Sequence, residues 1–366
     1  MYKSKQIYLA DIPIGGGAPI SIQSMTNTKT EDIEATLQQI FQLFEAGCEI
    51  IRVAVPNEEA VRALPQIIDK SPIPVIADIH FDYRLALGSI RGGAHGIRIN
   101  PGNIGSKDKV KFIAKAANKA KIPIRVGANS GSLPKEWAKK VLECDKNNSL
   151  EHDQILANGL VASAFEQIKI LEDCNFDNIK VSLKASSVRA TFLAYKLFAE
   201  QSDYPLHIGV TEAGTLERGI IKSAVGIGAL LLNGIGDTLR VSLTADPVEE
   251  VKVAKAILES CGFREPNVEI VSCPTCGRTN INLEELATKV EQIVAKKSAD
   301  GRKKLNVKKI AVMGCVVNGP GEARDADLGI AGGVGKVAVF RNGDVIGTFS
   351  EEEGLKVLEN FIEVIS

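Results

Sequence analysis

Short runs of β-branched residues alternate with longer amphipathic stretches along the first two thirds of the chain. This alternation is typical of parallel strands joined by helical crossovers. The predicted strands cover residues 20–24, 50–55, 75–79, 96–99, 124–126, 179–183, 206–210 and 238–242. The predicted helices cover residues 31–46, 57–69, 82–92, 106–120, 150–174, 186–201, 215–231 and 247–260. Eight strand–helix pairs predict a TIM (β/α)8 barrel, with an open doubly wound sheet as the alternative.

The pattern changes at both ends of this region. At the N-terminus, Gly15, Gly16 and Gly17 separate two alternating runs, which predicts a β-hairpin under the barrel floor. After Pro266 come a CxxC loop, an amphipathic stretch at 283–296, the strand-like KIAVMGC, a glycine-rich loop, a hairpin pattern around Asn342 and a helix at 351–365. We therefore predict a barrel domain at 1–265 and a smaller α+β domain at 266–366.

The composition is that of an ordered globular protein. Apolar residues make up 45% and charged residues 24% of the 366 residues, which excludes a disordered chain. The 44 Lys and Arg nearly balance the 45 Asp and Glu, so no nucleic-acid partner is expected. The first residues lack the apolar core of a signal peptide, and no run approaches the length of a membrane span. We expect a cytoplasmic protein.

Arginine interrupts four of the predicted strands. Arg52, Arg98, Arg125 and Arg240 each lie between aliphatic neighbours, and Lys184 ends a fifth strand. Strand positions in a barrel alternate between the lumen and the helical layer, and reacting groups collect at the carboxyl ends of the strands. These side chains are therefore predicted to converge on one mouth. The alternative is that they point outwards and form ion pairs with the helices.

Such a cluster of cations requires an anion. The carboxylates at equivalent strand ends are Asp78 and Glu212, so five cations leave an excess of three positive charges. A phosphate or diphosphate, which arginine binds in bidentate fashion, would balance that excess. His80 follows Asp78 and is a candidate for the same mouth. The neutral donors at neighbouring strand ends are Asn100, Asn129, Ser182 and Ser242.

Three of the seven cysteines lie in short loops rich in glycine and proline. Cys273 and Cys276 form the CxxC of SCPTCGRT, and Cys315 lies in MGCVVNGPGEA. An iron-sulfur cluster with one further ligand would use all three cysteines, whereas a zinc site and a redox dithiol are the alternatives. The candidates for the fourth ligand are Cys261, Glu322, water and substrate. An oxygen ligand such as a carboxylate can exchange for a substrate oxygen.

Taken together, these segments closely resemble the bacterial 4-hydroxy-3-methylbut-2-enyl diphosphate synthases of the methylerythritol phosphate route to isoprenoids. CPTCGRT, followed by NGPGEA after a third cysteine, is highly specific for that family. The segments MTNTKT, RVAVP, ADIHFD, GIRINPGN, RVGANSGSL, VSLKAS, GVTEAG and LRVSLT occur in the expected order. The resemblance therefore covers nearly the whole chain, in the compact two-domain form.

The resemblance implies a TIM barrel that binds methylerythritol cyclodiphosphate and an α+β domain with a 4Fe-4S cluster. It implies Cys273, Cys276, Cys315 and Glu322 as cluster ligands, with Glu322 exchanging for a substrate oxygen, and Glu212 as the proton donor. The implied substrate-binding residues are Arg52, Asp78, His80, Arg98, Asn100, Arg125, Asn129, Lys184, Arg240 and Ser242. The implied reaction is a two-electron reductive ring opening and dehydroxylation. A homodimer, and flavodoxin or ferredoxin as electron donor, are implied as well.

Other functions fit the same residues when the resemblance is set aside. One is a barrel synthase or aldolase for a phosphate ligand, with a zinc-stabilised interaction domain, and another is a non-catalytic phosphate-binding module. The basic stretch at 295–309, AKKSADGRKKLNVKK, also has two interpretations. It is either an ordinary solvated loop or a docking patch for an acidic electron carrier.

Overall fold

The computed structural model describes residues 2–104, 106–129, 133–144, 148–279, 281–298, 303–315 and 325–365. The chain forms two compact units, Met1–Arg264 and Glu265–Ser366. Each unit has its own hydrophobic core, as expected for a chain too long to form a single one. Among the described residues, no helix is both long enough and apolar enough to cross a membrane.

The first unit is a closed barrel of parallel strands. An N-terminal hairpin of β1 (Ile7–Leu9) and β2 (Ile12–Ile14) precedes it. The barrel strands in the described residues are β3 (Ser21–Met25), β4 (Ile50–Ala54), β5 (Val75–Asp78), β6 (Gly96–Ile99), β7 (Ile124–Asn129), β8 (Ile179–Lys184), β9 (His207–Ile208) and β10 (Thr238–Leu239). Their order is β8-β7-β6-β5-β4-β3-β10-β9, and a parallel bridge between Val181 and Leu206 joins the two ends. The predicted TIM barrel is confirmed, and the open-sheet alternative is wrong.

Helices connect the barrel strands. In the described residues they are α1 (Ile33–Ala46), α2 (Glu58–Lys70), α3 (Tyr83–Arg91), α4 (Pro101–Ile104), α5 (Lys107–Ala120), α6 (Lys135–Glu143), α7 (Ser149–Glu172), α8 (Val188–Ala199), α9 (Leu216–Leu232) and α10 (Pro247–Ser260). The sequence pattern predicts all of these except α4 and α6. α6 spans only nine residues and has no fully buried residue, so it is shorter than the stretches of ten or more residues by which the pattern identifies helices.

Alternation along the strands separates an apolar outer layer from a polar lumen. On β8, residues 179, 181 and 183 belong to the main hydrophobic core outside the barrel wall. Because side chains alternate along a strand, Lys180, Ser182 and Lys184 face the lumen. The aliphatic neighbours of the strand arginines also belong to that core, so the arginines face inwards.

The N-terminal hairpin closes the floor of the barrel. Ile7, Leu9 and Ile14 form a small buried cluster with Ile50 and Ile76, which lie near the amino ends of β4 and β5. Leu9 and Ile14 are completely buried. The lumen is therefore plugged by aliphatic side chains at the end opposite the carboxyl ends of the strands.

The turn of this hairpin lies elsewhere than the sequence predicts. β1 and β2 are joined at Ala10 and Asp11, with Ala10 at a φ of 49°, whereas the three glycines follow β2. A Cβ at Gly15 would lie 2.4 Å from the Lys5 carbonyl oxygen. This glycine therefore permits a close approach to the first segment of the chain, which is a different use from forming the turn.

The second unit is α+β, as predicted. Its described strands form a mixed sheet in the order β11 (Glu269–Ser272), β12 (Lys309–Met313), β13 (Leu328–Gly332), β14 (Val337–Arg341) and β15 (Asp344–Phe349). Leu286 of α11 (Leu283–Lys297) and Leu358 of α12 (Glu351–Phe361) are buried in its core. Asn342 and Gly343 both have positive φ between β14 and β15, which confirms the predicted hairpin.

Candidate active site

A polar cavity of about 130 Å³ opens at the carboxyl ends of the barrel strands. It is lined by Arg52, Arg98, Arg125, Gly127, Ala128, Asn129, Ser182, Lys184, Thr211, Arg240 and Ser242. All five cationic residues that the strand pattern singles out are among them, so the alternative in which they point outwards is wrong. They converge because equivalent positions on neighbouring parallel strands face the same lumen.

Asp78, at the end of β5, is the countercharge of two arginines. Its carboxylate accepts a hydrogen bond from Arg98 Nη1 at 3.2 Å and lies 3.7 Å from Arg52 Nε. His80 Nε2 lies 3.7 Å from the same carboxylate and so borders the mouth. Burial alone would raise the pKa of the Asp78 carboxyl, but Arg52, His80 and Arg98 together hold that pKa well below its usual range.

Glu250 on α10 is a second countercharge, which sequence reasoning missed. It accepts hydrogen bonds from Arg240 Nε at 3.2 Å and Nη2 at 3.4 Å, and from the Leu243 backbone N–H at 2.9 Å. Its exposed fraction is only 4%. Glu250 lies on the buried face of α10, with Val251 and Ala254. A carboxylate on an apolar helix face needs a buried partner, and that is the signal that could have found it.

Arg125 and Lys184 lack such a partner. Within the part of the chain that the structure describes, neither forms an ion pair with a carboxylate, and Arg125 Nε has no hydrogen-bond partner. Burial lowers the pKa of Arg125 well below its usual value, and Arg52 and Arg98 lower it further. Burial, Arg125 and Arg240 likewise lower the pKa of Lys184. An arginine nevertheless stays protonated, so its charge must be balanced by something that enters the cavity.

The cavity therefore carries excess positive charge. Five cationic side chains face Asp78 and Glu250, which leaves three positive charges when all five are protonated. Two unit charges about 8 Å apart repel by about 2 kcal/mol at an effective dielectric constant of about 20. A polyvalent anion held by bidentate guanidinium groups removes this repulsion. The cavity is suited to a phosphate or diphosphate.

The remaining candidates of the barrel have different surroundings. Asn129, Ser182 and Ser242 line the cavity, and Asn100 is buried directly after β6. Glu212, expected as the second countercharge, has an exposed side chain and is not part of the cavity wall, so Glu250 takes that place. The Glu212 backbone has a φ of 52°, in the left-handed region that non-glycine residues rarely adopt. It follows Thr211 of the cavity wall, so it lies at the rim.

Two cysteine loops meet in the second unit. Cys273 directly follows β11, and Cys315 lies two residues after β12, the parallel neighbour of β11. The Gly314 N–H donates a hydrogen bond to Cys273 Sγ at 3.2 Å, which ties the two loops together. Hydrogen bonds to ligand sulfurs are one of the ways in which proteins tune iron-sulfur clusters. The donor set of this region fits such a cluster.

Cys276 is the exposed cysteine of the CxxC loop. Hydrogen bonds from the backbone and side chain of Arg278 lower the pKa of its thiol, which favours the thiolate that binds metal. Among the described residues, no three His, Cys, Asp or Glu side chains are grouped to hold a single metal ion. Glu322, the expected fourth ligand, lies outside the described residues. Cys261, an alternative, caps the C-terminus of α10.

Two known protein domains match the two parts of this chain. The profile of the GcpE TIM-barrel domain matches residues 4–255, and that of the GcpE protein C-terminal domain matches residues 269–364. The chain belongs to the GcpE family. Its relatives include proteins named "4-hydroxy-3-methylbut-2-en-1-yl diphosphate synthase (flavodoxin)". The protein of that name from Maridesulfovibrio salexigens is 53% identical over 353 residues, which are 96% of this chain and 94% of the relative.

A second GcpE relative, from Geobacter sulfurreducens, carries the same name. It is 51% identical over 363 residues, which are 99% of this chain and 98% of the relative. Among solved structures, the 7,8-dihydropteroate synthase of Vibrio fischeri aligns with a TM-score of 0.49 and 14% identity, over 71% of this chain and 99% of that one. Likeness at that level carries no conclusion about function.

In this GcpE chain, Gly209 allows the end of β9 to pass close to the cavity wall. A Cβ there would lie 2.4 Å from the Arg240 carbonyl oxygen and 2.7 Å from Lys184 Nζ. We expect Gly209→Ala to displace both residues and lower kcat/KM roughly 100-fold. Overpacking should also cost about 1–3 kcal/mol of stability. Steady-state kinetics and thermal unfolding measure the two effects.

The matched control is Gly228→Ala on α9. A Cβ at Gly228 would meet only Cys261 Sγ, at an ordinary 3.7 Å. Alanine is the better helix former, so this variant should be as stable as the parent or slightly more stable, with unchanged kinetics. Parental kinetics in Gly209→Ala would mean that the close contact does not position Arg240 and Lys184.

Proposed function

We propose that this chain reduces 2-C-methyl-D-erythritol 2,4-cyclodiphosphate to 4-hydroxy-3-methylbut-2-enyl diphosphate, a step of isoprenoid biosynthesis. The reaction takes up two electrons, opens the cyclic diphosphate and expels a hydroxyl group as water. One observation carries the proposal: a cavity with excess positive charge at the strand ends of a GcpE barrel whose relatives are named for this product. As a member of this family, the chain is an oxidoreductase.

In this proposal the cations hold the diphosphate. Arg52, Arg98, Arg125, Arg240 and Lys184 would bind its oxygens and stabilise the charge that appears when the ring opens, an effect often worth a few kcal/mol per donor. The countercharges Asp78 and Glu250 hold three of the guanidinium groups, those of Arg52, Arg98 and Arg240, before substrate arrives, which lowers the cost of ordering them. The neutral donors Asn100, Asn129 and Ser242 would orient the carbon skeleton, with Asp78 and His80 bordering it.

The proposed cofactor is a 4Fe-4S cluster. Cys273, Cys276, Cys315 and Glu322 would hold it, and the hydrogen bond from Gly314 to Cys273 supports this assignment. When bound, such a cluster supplies single electrons at low potential and a Lewis-acidic iron. Glu322 would be the one oxygen ligand of the cluster, and an oxygen ligand of this kind can exchange for a substrate oxygen. If Glu322→Ala left both iron content and turnover unchanged, this part of the proposal would be wrong.

Glu212 is the proposed proton donor. Its exposed side chain lies at the rim of the cavity, next to Thr211 of the wall, where it can exchange protons with solvent. Its left-handed backbone is the kind of strain that persists where surrounding structure holds a functional residue in place. Glu212→Gln keeps the shape and removes the acid. A variant that turned over at the parental rate would show that another group supplies the proton.

The decisive experiment is reduction of the cyclodiphosphate under anaerobic conditions. Protein reconstituted with iron and sulfide, and supplied with a low-potential electron donor, should form the allylic diphosphate. We expect a brown protein with about four irons per chain. A colourless zinc protein without turnover would favour the rival barrel synthase or aldolase. Tight binding of the cyclodiphosphate without turnover in the iron-loaded, reduced protein would indicate a binding module instead.

Flavodoxin is the proposed electron donor, because the relatives' names specify it. The described lysines of the basic stretch include the exposed Lys296, Lys303, Lys304 and Lys308. An acidic carrier should be attracted to such a patch. We therefore expect the rate of reduction by flavodoxin to fall at least tenfold between 50 mM and 500 mM salt, because screening shortens the range of the attraction.

The patch itself is tested by charge reversal. Lys303→Glu combined with Lys304→Glu should remove most of this salt dependence, while reduction by a small uncharged chemical donor stays the same. A rate with flavodoxin that does not respond to salt would retire the docking patch. Ferredoxin as an alternative donor and assembly as a homodimer are parts of the proposal that rest on the resemblance. A cytoplasmic location is also part of the proposal.

A further inference from the structure

Beneath the substrate cavity, the lumen contains polar side chains that the proposed reaction does not use. Lys180, His207, Thr238 and Gln23 are each at most 1% exposed. Among the described residues, Lys180 Nζ, His207 Nε2 and both polar side-chain atoms of Gln23 have no hydrogen-bond partner. His207 Nδ1 lies 2.9 Å from Thr238 Oγ1. The amine is the most costly of these groups to bury, because an isolated ammonium loses its hydration without compensation.

Lys180 lies directly under the cavity wall. It shares the lumen side of β8 with Ser182 and Lys184, both of which line the cavity. Ser182 lies two positions after Lys180, a distance of about 7 Å along the strand. Its register partner on β7 is Arg125, the arginine without a carboxylate partner. A charge placed in the cavity therefore acts on Lys180 at short range.

Groups of both signs lie around the buried Lys180. The titratable and charged groups that face it are Arg125 from β7, His207 from β9, Asp237 just before β10, and Lys184 on its own strand. Asp237 already accepts a hydrogen bond from Ser4 Oγ at 2.6 Å. Burial lowers the pKa of Lys180 to about 7, with Arg125 lowering it further and Asp237 opposing the change.

Lysine differs from arginine in this setting because it can release its proton. The arginines of the cavity stay charged, so in the absence of an anion the lysines are the groups that can relieve the repulsion. We propose that Lys180, buried without a hydrogen-bond partner beneath the cavity, is uncharged in the empty barrel and takes up a proton from solvent when a diphosphate binds above it. This inference rests on the proposed function, since it requires an anion in the cavity.

The charge of the ligand is large enough for this coupling. At about 7 Å and an effective dielectric constant of about 20, one negative charge strengthens proton binding to an amine roughly 50-fold. The cyclodiphosphate cannot supply the proton itself. Each of its phosphorus atoms carries a single, strongly acidic hydroxyl group, so the ligand does not titrate near neutral pH. Any proton taken up on binding therefore goes to the protein.

The sign of the pH dependence follows from linkage. Below a pH of about 7, Lys180 is already charged in the free protein and contributes no proton uptake. Above that pH, and up to the higher pKa that Lys180 has in the complex, binding of the ligand takes up a proton. In this range the affinity for the ligand falls by up to tenfold for each unit by which the pH rises. The number of protons that the protein takes up on binding one ligand molecule should therefore be smaller at pH 6 than at pH 8, by up to about one. The difference is the proton of Lys180, which is already bound in the free protein at pH 6.

Isothermal titration calorimetry tests the inference. The full-length protein is titrated with methylerythritol cyclodiphosphate in the absence of reductant. Repeating the titration in buffers of different ionisation enthalpy gives the number of protons taken up. The wild-type protein should take up more protons at pH 8 than at pH 6. Lys180→Met should take up fewer than the wild type at pH 8, by up to about one proton. Lys169→Met, at an exposed position on α7, is the control and should match the wild type.

The outcomes separate this inference from the proposed function. Binding without proton uptake by the wild-type protein would overturn the inference and leave the anion site intact. Equal uptake by Lys180→Met and wild type would overturn the role of Lys180. Absence of any binding, at any pH, would overturn the proposed function and this inference with it. The comparison of pH 8 with pH 6 needs no variant, so a failure of Lys180→Met to fold does not prevent the test.

Discussion

Replacing Arg125 with methionine should make the ligand-free protein more stable and the enzyme nearly inactive. Arg125 is buried, its Nε has no partner, and it lies among other cations. Substituting apolar groups for buried charges can stabilise a protein by about 1–4 kcal/mol. We expect Tm to rise by about 2–4 °C for each kcal/mol gained. In the proposed function Arg125 is a charged donor to the diphosphate, so its loss should lower kcat/KM roughly 10²–10³-fold.

Thermal unfolding of the ligand-free protein and anaerobic kinetics measure these opposite changes. Arg84→Met is the control, because Arg84 is exposed and pairs with Asp82 at 2.8 Å. Its Tm and kinetics should stay close to the parental values, as is usual for exposed ion pairs. A lower Tm for Arg125→Met would mean that the guanidinium is well compensated in the empty barrel, and the picture of excess charge would fail.

Replacing Asp78 with asparagine should have the opposite effect on stability. Removing this carboxylate leaves Arg52 and Arg98 buried without their countercharge, and breaking a buried pair in this way costs about 3–5 kcal/mol. We expect a large fall in Tm, measured by thermal unfolding in low salt. Sulfate should restore much of the loss by occupying the cavity, because a ligand that binds only the folded protein stabilises it.

The pH dependence of the stability of the wild-type protein measures the contribution of Asp78 independently. The pKa of Asp78 is lower in the folded protein than in the unfolded chain, so its stabilisation is fully present above the unfolded pKa of about 3.9. The stabilisation is lost as pH falls below that value towards the folded pKa. Asp78→Asn should lose less stability in this acid range than the wild type. Asp82→Asn, at a surface pair, is the control.

Much of the barrel and of its cationic cavity follows from the sequence. The eight strands are visible because each is an aliphatic run between helical patterns, and a charged residue inside such a run must face the lumen or a partner. The pattern around Arg52, Arg98, Arg125 and Arg240 is therefore sufficient to predict the cavity that these residues line. Use of Cys273 and Cys315 by one site is expected from their motifs, but the pattern predicts only the strand before Cys315 and misses β11, which precedes Cys273.

Contacts between residues that are far apart along the chain could not be predicted from the sequence. The apolar pattern of α10 marks Glu250 as a buried carboxylate, but only the structure shows that its partner is Arg240. His207 belongs to no motif and is expected to be structural, and no pattern singles out Lys180, although both face the lumen. The hairpin turn at Ala10 escapes prediction because three glycines nearby are the stronger local signal for a turn.

The N-terminal hairpin closes the lumen at the amino ends of the barrel strands. Because Leu9 and Ile14 seal one extremity, whatever enters at the strand ends must leave by the same route. Substrate and product therefore use the same opening, at the carboxyl ends of the strands, and only one of them can occupy the lumen at a time. Product must therefore be released before the next substrate molecule can bind, and a diphosphate product that dissociates slowly blocks the entry of substrate.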